Sequence, residues 1–166
     1  MLTFAKLAIL GGILAVTVTA PTHEPSVGVD HVLGPWLTGK KGAVIDIYSC
    51  GAEKAELCGR IAWLRKPYHS DGKLKRDPEN PDESLRDRPL CGIEVFTGLR
   101  RTDADTWGRG RVYNPEDGRR YRAYMRANDD GTLYIRGYIG IPLFGRSETW
   151  TRPDGIDIHC PPDSDS

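Results

Sequence analysis

Two acidic residues interrupt otherwise apolar segments of the 166-residue chain: Asp46 within Ala43-Val-Ile-Asp-Ile-Tyr-Ser49, and Glu94 within Cys91 to Leu99. A pair of carboxyl groups converging in a shielded cleft could push one pKa up and serve as general acid and base, which is the minimum a hydrolase needs. Exposure on the outer face of alternating strands accounts for the same two residues, so hydrolysis ranks last among the functions considered. A second concentration of reactive groups lies between Lys73 and Arg88, which contains Arg76, Asp77, Asn80, Asp82, Glu83, Arg86, Asp87 and Arg88. Asn80, Asp82, Arg86 and Arg88 form the candidate ligand-binding set, with the two guanidinium groups forking onto an anion from a lid. Asn-Pro and Asp-Arg dipeptides equally suit internal turns and ion pairs that would hold such a loop over a barrel mouth. The histidines, His23, His31, His69 and His159, lack metal-ligand spacing, and no nucleophile elbow, phosphate-binding loop or dinucleotide fingerprint is present. No catalytic residue, metal or cofactor is therefore assigned.

The amino terminus carries Lys6 followed by an apolar run from Leu7 to Val18, with small residues at Val18 and Ala20. This reads as a signal peptide over residues 1–20, cleaved after Ala20, because the run is too short to span a bilayer. The mature chain would begin with a flexible segment over 21–32 and contain no transmembrane segment. Export to a periplasmic or secreted location places Cys50, Cys58, Cys91 and Cys160 in an oxidising space. Cys50 and Cys58 flank a short polar connection and suit a hairpin staple, which leaves Cys91 to pair with Cys160 and tie the tail, residues 153–166, to the body.

Between these points the chain is β-rich. Strands are predicted at Leu33–Thr38, Ala43–Ser49, Cys58–Arg65, Cys91–Leu99, Trp107–Tyr113, Tyr121–Ala127, Thr132–Ile139 and Arg146–Arg152. Asn114-Pro-Glu-Asp-Gly118 and Asp129-Asp-Gly131 supply turn chemistry, and Lys66–Leu90 is a long irregular connection rich in proline and charge. Eight short strands with hairpin-length links predict a single all-β domain over 33–152, an antiparallel up-and-down barrel without exposed edges. Alternation places Gly108, Gly110, Val112, Ala123, Met125, Leu133, Ile135 and Ile139 inside, and Arg109, Arg111, Arg122, Arg126, Arg136, Tyr124, Tyr134 and Tyr138 outside. The small inward residues fit a filled, tapered core, which is favoured, or space for a slender ligand. The arginine and tyrosine face is a solvated surface or, in the sharper reading, a site for anionic head groups.

Charge sets a further limit. Lys and Arg number 23, as do Asp and Glu, so the formal net charge is zero, which argues against a nucleic-acid partner.

Several strings together resemble the bacterial domain of unknown function 2147 family: Gly34-Pro-Trp36, Leu57-Cys58-Gly59 with Cys50, Asn80-Pro-Asp82, Leu85-Arg-Asp-Arg-Pro-Leu90, Tyr113-Asn-Pro-Glu-Asp-Gly118, and Gly145-Arg146 with Thr149-Trp-Thr-Arg152. The likeness implies an exported bacterial protein of uncharacterised activity. The chain departs from that pattern at Cys91 and in its Cys160 tail, and the paired departure strengthens the second disulfide. The chain is also similar to the lipocalin and calycin barrels, in which Gly-x-Trp opens the first strand and an arginine from a late strand packs on the tryptophan. That likeness implies a barrel-closing contact between Trp36 and Arg152. The expectation from these readings is a non-catalytic, exported envelope protein that binds an unidentified lipid, amphiphile or anion. A structural or protein-interaction module of the periplasm is the alternative, and hydrolysis by a carboxylate pair stands behind both.

Overall fold

Apolar and charged residues alternating from Trp107 to Tyr138 require strands with one buried face. The computed structural model, which describes residues 31–163, contains eight. They are β1 (Gly34–Leu37), β2 (Ala43–Cys50), β3 (Glu56–Leu64), β4 (Glu94–Asp103), β5 (Thr106–Asn114), β6 (Arg119–Ala127), β7 (Leu133–Tyr138) and β8 (Gly145–Trp150). Each pairs antiparallel with its neighbour in the chain, so sheet order equals sequence order. The first and last strands then meet where Leu37 and Thr151 exchange backbone hydrogen bonds of 2.8 and 3.1 Å. The sheet thereby curls into the expected up-and-down barrel. The proposed signal peptide over 1–20, His23, the rest of 21–30 and the tail residues 164–166 lie outside the described residues.

The interior is apolar and crowded. Trp36, Phe96, Leu99, Trp107, Met125, Leu133 and Trp150 are all at most 5% exposed, and burying each such side chain fully stabilises the fold by about 1.5–3 kcal/mol. Small inward residues make room for these rather than for a ligand. A methyl group added at Gly110 would stand 2.6 Å from the Leu99 side chain, at Gly59 3.1 Å from Ile45, and at Gly137 3.2 Å from Val112. The indole NH of Trp107 has no acceptor among the described residues, a cost of about 1–3 kcal/mol that the burial of its ring offsets.

Two members of the predicted inward set, Gly108 and Ile139, do not face inward. Trp107 faces inward opposite Met125, and Gly110 inward opposite Ala123, so β5 holds one more residue than β6 between these pairs and Gly108 turns outward, against the simple alternation. Arg109 occupies this bulge with φ 62, and Gly98 on the neighbouring β4 has φ 67. Both lie between the Thr97–Arg111 and Arg100–Gly108 pairs, so the two strands kink together and keep register with each other. Ile139, expected inside, is 62% exposed because β7 ends at Tyr138 and the chain turns outward at Gly140.

One end of the barrel is sealed by the segment before β1. Val32 is fully buried, and its carbonyl accepts the Trp36 indole NH at 2.8 Å. The Arg152 guanidinium carbon stands 3.8 Å from the Trp36 ring centroid, and its nitrogens donate to the carbonyls of His31, Leu33 and Pro35. Trp36 and Arg152 therefore make the contact that the barrel likeness implied.

Both disulfides pair as expected, Cys50 with Cys58 and Cys91 with Cys160, spanning 8 and 69 residues of sequence. Chain entropy assigns the longer closure about 4 kcal/mol and the shorter about 2–3 kcal/mol. Replacing Cys91 and Cys160 by serine is expected to lower the urea midpoint more than replacing Cys50 and Cys58. Equal losses would show that the tail bridge does not act through loop closure.

Candidate functional site

The loop between β3 and β4 folds around one carboxylate. Asp77 is fully buried, and its oxygens accept the Tyr113 hydroxyl at 2.6 Å, the Asn80 amide at 2.8 Å and two nitrogens of Arg88 at 2.8 and 3.1 Å. Its backbone NH donates to the Arg86 carbonyl and its carbonyl accepts the Asn80 NH, which closes a tight turn within the loop. Arg86 donates through Nε to the Asn80 carbonyl at 2.9 Å and pairs with Glu83 at 3.2 Å. Asp82 caps the short turn Glu83–Leu85 by accepting from the NH and hydroxyl of Ser84, which hold its carboxyl below the usual range. The structure thus brings Asn80, Asp82, Arg86 and Arg88 together, with their polar atoms turned onto the loop's own carbonyls and carboxylates. Asp77 is one of several acids between Lys73 and Arg88, and its one distinguishing sign in the sequence is a position between Arg76 and Pro78.

This loop rests on the outer side of the barrel, where Tyr113 of β5 reaches Asp77. Glu79 crosses the β5–β6 turn so closely that a methyl group at Gly118, φ 67, would stand 1.8 Å from its carbonyl oxygen. Only glycine fits that crossing. Arg76 joins the loop to the tail by pairing with Asp163 at 3.1 Å.

Asp46 and Glu94 share the outer face but do not form an acid–base pair. Arg60 lies between them, paired across β3 with Asp46 on one side and Glu94 on the other. Asp46 accepts from Arg60 at 3.1 Å, whereas Glu94 accepts the Tyr48 hydroxyl. With a cation separating the two carboxylates on a convex surface, neither is held in the shielded cleft that acid–base chemistry requires. His31 lies against Trp107, His69 sits in the long loop and His159 beside Asp157, so these three do not converge.

A different set of cations does converge. Thr97, Arg111, Arg122 and Tyr138 form one row across β4 to β7, in which Arg111 and Arg122 are direct cross-strand partners. Arg111, Arg122 and Tyr138, with the bulged Arg109, line a shallow depression of about 320 Å³ on the outer face. Arg109, Arg111 and Arg122 are all exposed, and none has a carboxylate within 4 Å among the described residues. Like charges directly opposite on adjacent strands are destabilising, so this row carries an unmet need for an anion. The β5 bulge, invisible to simple alternation, brings Arg109 to the same depression.

Residues 34–152 match the model of a family described as an uncharacterized protein conserved in bacteria, DUF2147. The chain belongs to the DUF2147 family. No curated protein matches it. Among solved structures the chain is similar to protein HP1028 from the human pathogen Helicobacter pylori, described as belonging to the lipocalin family. The similarity has a TM-score of 0.63 at 21% identity and covers 74% of this chain and 83% of that one. The DUF2147 barrel therefore has a lipocalin-like fold.

The DUF2147 match includes the Asp77 cluster and the arginine row but ends at Arg152. The Cys91–Cys160 bridge and the Arg76–Asp163 pair attach a tail beyond the family region to its long loop. Removing one partner from a buried, hydrogen-bonded charge pair costs about 3–5 kcal/mol. Asp77→Ala is accordingly expected to lower stability by roughly 3 kcal/mol in urea unfolding and to expose 67–90 to protease; an unchanged digestion pattern would sink the assignment of Asp77 as the loop's anchor. Burial, followed by hydrogen bonding to Asp77, pushes the Tyr113 phenol up to about 12, and burial with the Glu94 bond does the same for Tyr48. The folded state thus favours the neutral phenols, and their contribution is whole below pH 10 and is lost as pH rises to about 12. Ultraviolet titration of the folded protein should show a late tyrosine class that Tyr113→Phe diminishes, with a shallower alkaline loss of stability in that variant.

Proposed function

We propose that this DUF2147 protein is a non-catalytic binding protein of the bacterial envelope that recognises an anionic, phosphate-bearing group on the outside of its barrel. The observation that carries this reading is the direct juxtaposition of Arg111 and Arg122, with Arg109 beside them and no carboxylate partner among the described residues. Guanidinium groups in such an array can fork onto phosphate oxygens, and Tyr138 lines the same depression. A crowded core supports an external site over a ligand held within the barrel. Two disulfides accord with an oxidising compartment, and the absence of a converged carboxylate pair removes the basis for hydrolysis at Asp46 and Glu94.

Soluble dihexanoyl phosphatidylglycerol provides the head group without a membrane. It is expected to raise the unfolding temperature of the wild-type protein through preferential binding to the folded state, an effect that weakens with added salt. Arg111→Gln with Arg122→Gln, both on the exposed face, should abolish the shift while leaving the ligand-free protein as stable or slightly more so, since the opposed charges are gone. An equal shift in the double variant would reject the arginine row as the site.

A further inference from the structure

The connection from β7 to β8 reads Ile139-Gly-Ile-Pro-Leu-Phe144, and Ile139, Ile141, Leu143 and Phe144 are 62, 55, 74 and 66% exposed. Such a concentration of large apolar side chains at one surface point marks a contact with a partner or a membrane. The hairpin is held in shape from below. Ile139 donates to the Phe144 carbonyl at 3.0 Å and Phe144 to the Ile141 carbonyl at 3.1 Å. Arg136, half-buried at the base, donates to the carbonyls of Pro142 and Leu143 at 2.7 and 3.3 Å, and Arg122 reaches the Gly140 carbonyl at 3.4 Å. The backbone is thus anchored while the apolar side chains project outward.

We propose that this hairpin is a membrane-docking tip that enters the interface of an anionic phospholipid bilayer. The choice of an anionic surface rests on the phosphate reading of the arginine row, with which the tip is continuous: Tyr138 lines the depression and begins the hairpin, and Arg122 belongs to both. Charge complementarity favours a bilayer over a second protein. Strands β5 to β8 contain eight arginines and a single acid, Glu148, while Asp103, Asp105, Asp129 and Asp130 gather at the β4–β5 and β6–β7 turns, the opposite end of the barrel. The β5–β6 turn at the tip end also holds Glu116 and Asp117, so attraction to an anionic surface is local to the arginine-rich outer face of β5 to β8 beside the tip. A projecting apolar point collared by Arg122, Arg136 and Arg146 matches the layering of a bilayer interface, with acyl chains beneath phosphates, and tyrosines suit the boundary.

The test uses the full chain, so that Leu7 to Val18 contributes equally to every sample, and compares sedimentation with phosphatidylcholine vesicles with and without phosphatidylglycerol. Wild-type protein is expected to bind the anionic vesicles well above the neutral ones. Leu143→Ser with Phe144→Ser, both at exposed positions, should weaken that binding by about tenfold or more with thermal unfolding unchanged and with soluble dihexanoyl phosphatidylglycerol still bound as by wild type. Vesicle binding that survives the double variant, or that is equal on neutral vesicles, would overturn the proposal. So would a dimer that the same variant dissolves, without vesicle binding, since the tip would then be a self-association surface. The two readings fail separately: loss of soluble-lipid binding on replacing Arg111 and Arg122 tests the head-group row, whereas loss of vesicle binding alone on replacing Leu143 and Phe144 tests the tip.

Discussion

Closure between β1 and β8 is the constraint on which the rest of the molecule depends. It consists of one backbone bridge, Leu37 with Thr151, and the Arg152 side chain one residue further on. β1 has only four residues, too few for a long ladder, so the late arginine supplements the missing hydrogen bonds by holding three carbonyls of the segment that enters β1. Its guanidinium also lies on the Trp36 ring, joining a polar clasp to the apolar core at the same position. Without this closure the sheet would present two unpaired edges and lose the inward curvature that brings Trp36, Phe96 and Trp150 into one cluster.

A closed and filled barrel moves any recognition to its outer surface and its loops. The connection over 65–93 is long for a small barrel, and order in such a segment needs a centre of its own. Asp77 provides it, replacing an apolar core with a buried carboxylate whose oxygens are taken up by Arg88, Asn80 and Tyr113. Burying a charge is costly, and the arrangement gains more in specificity of loop position than a hydrophobic patch would: each bond fixes a direction as well as a distance. Tyr113 belongs to β5, so the loop is referred to the rigid sheet rather than to neighbouring loops.

Much of this was legible because strand alternation and turn residues are local signals. All eight strands lie within the predicted segments or a few residues of their ends, and Asn114 to Gly118 forms the turn that its residues suit. Both cysteine pairs followed from spacing and count, while the Trp36–Arg152 contact came from family likeness. What escaped depends on relations between strands. The coupled kink at Gly98 and Arg109 exists because two adjacent strands bend together, and neither sequence alone reports its neighbour's φ. Asp77 becomes the buried member among several acids only by meeting Tyr113, 36 residues later. Ile139 read as one more inward residue because a strand that ends in solvent and one that continues have the same apolar letters.

The zero net charge of the chain conceals a strong separation of charge. Composition averages the arginine-rich half of the sheet against acids clustered in the turns at the far end and in the tail, and so reports neutrality where the surface is locally charged. Net charge governs solubility and long-range attraction to polyanions, which is why it argues against a nucleic-acid partner; short-range recognition follows the local field, which a Debye length of about 8 Å confines to a few neighbouring side chains. On this barrel the local field is set by strand register. The bulge in β5 brings Arg109 beside Arg111, and the β5–β6 pairing sets Arg111 against Arg122. A backbone feature of the all-β fold thus creates the concentration of positive charge that composition could not reveal.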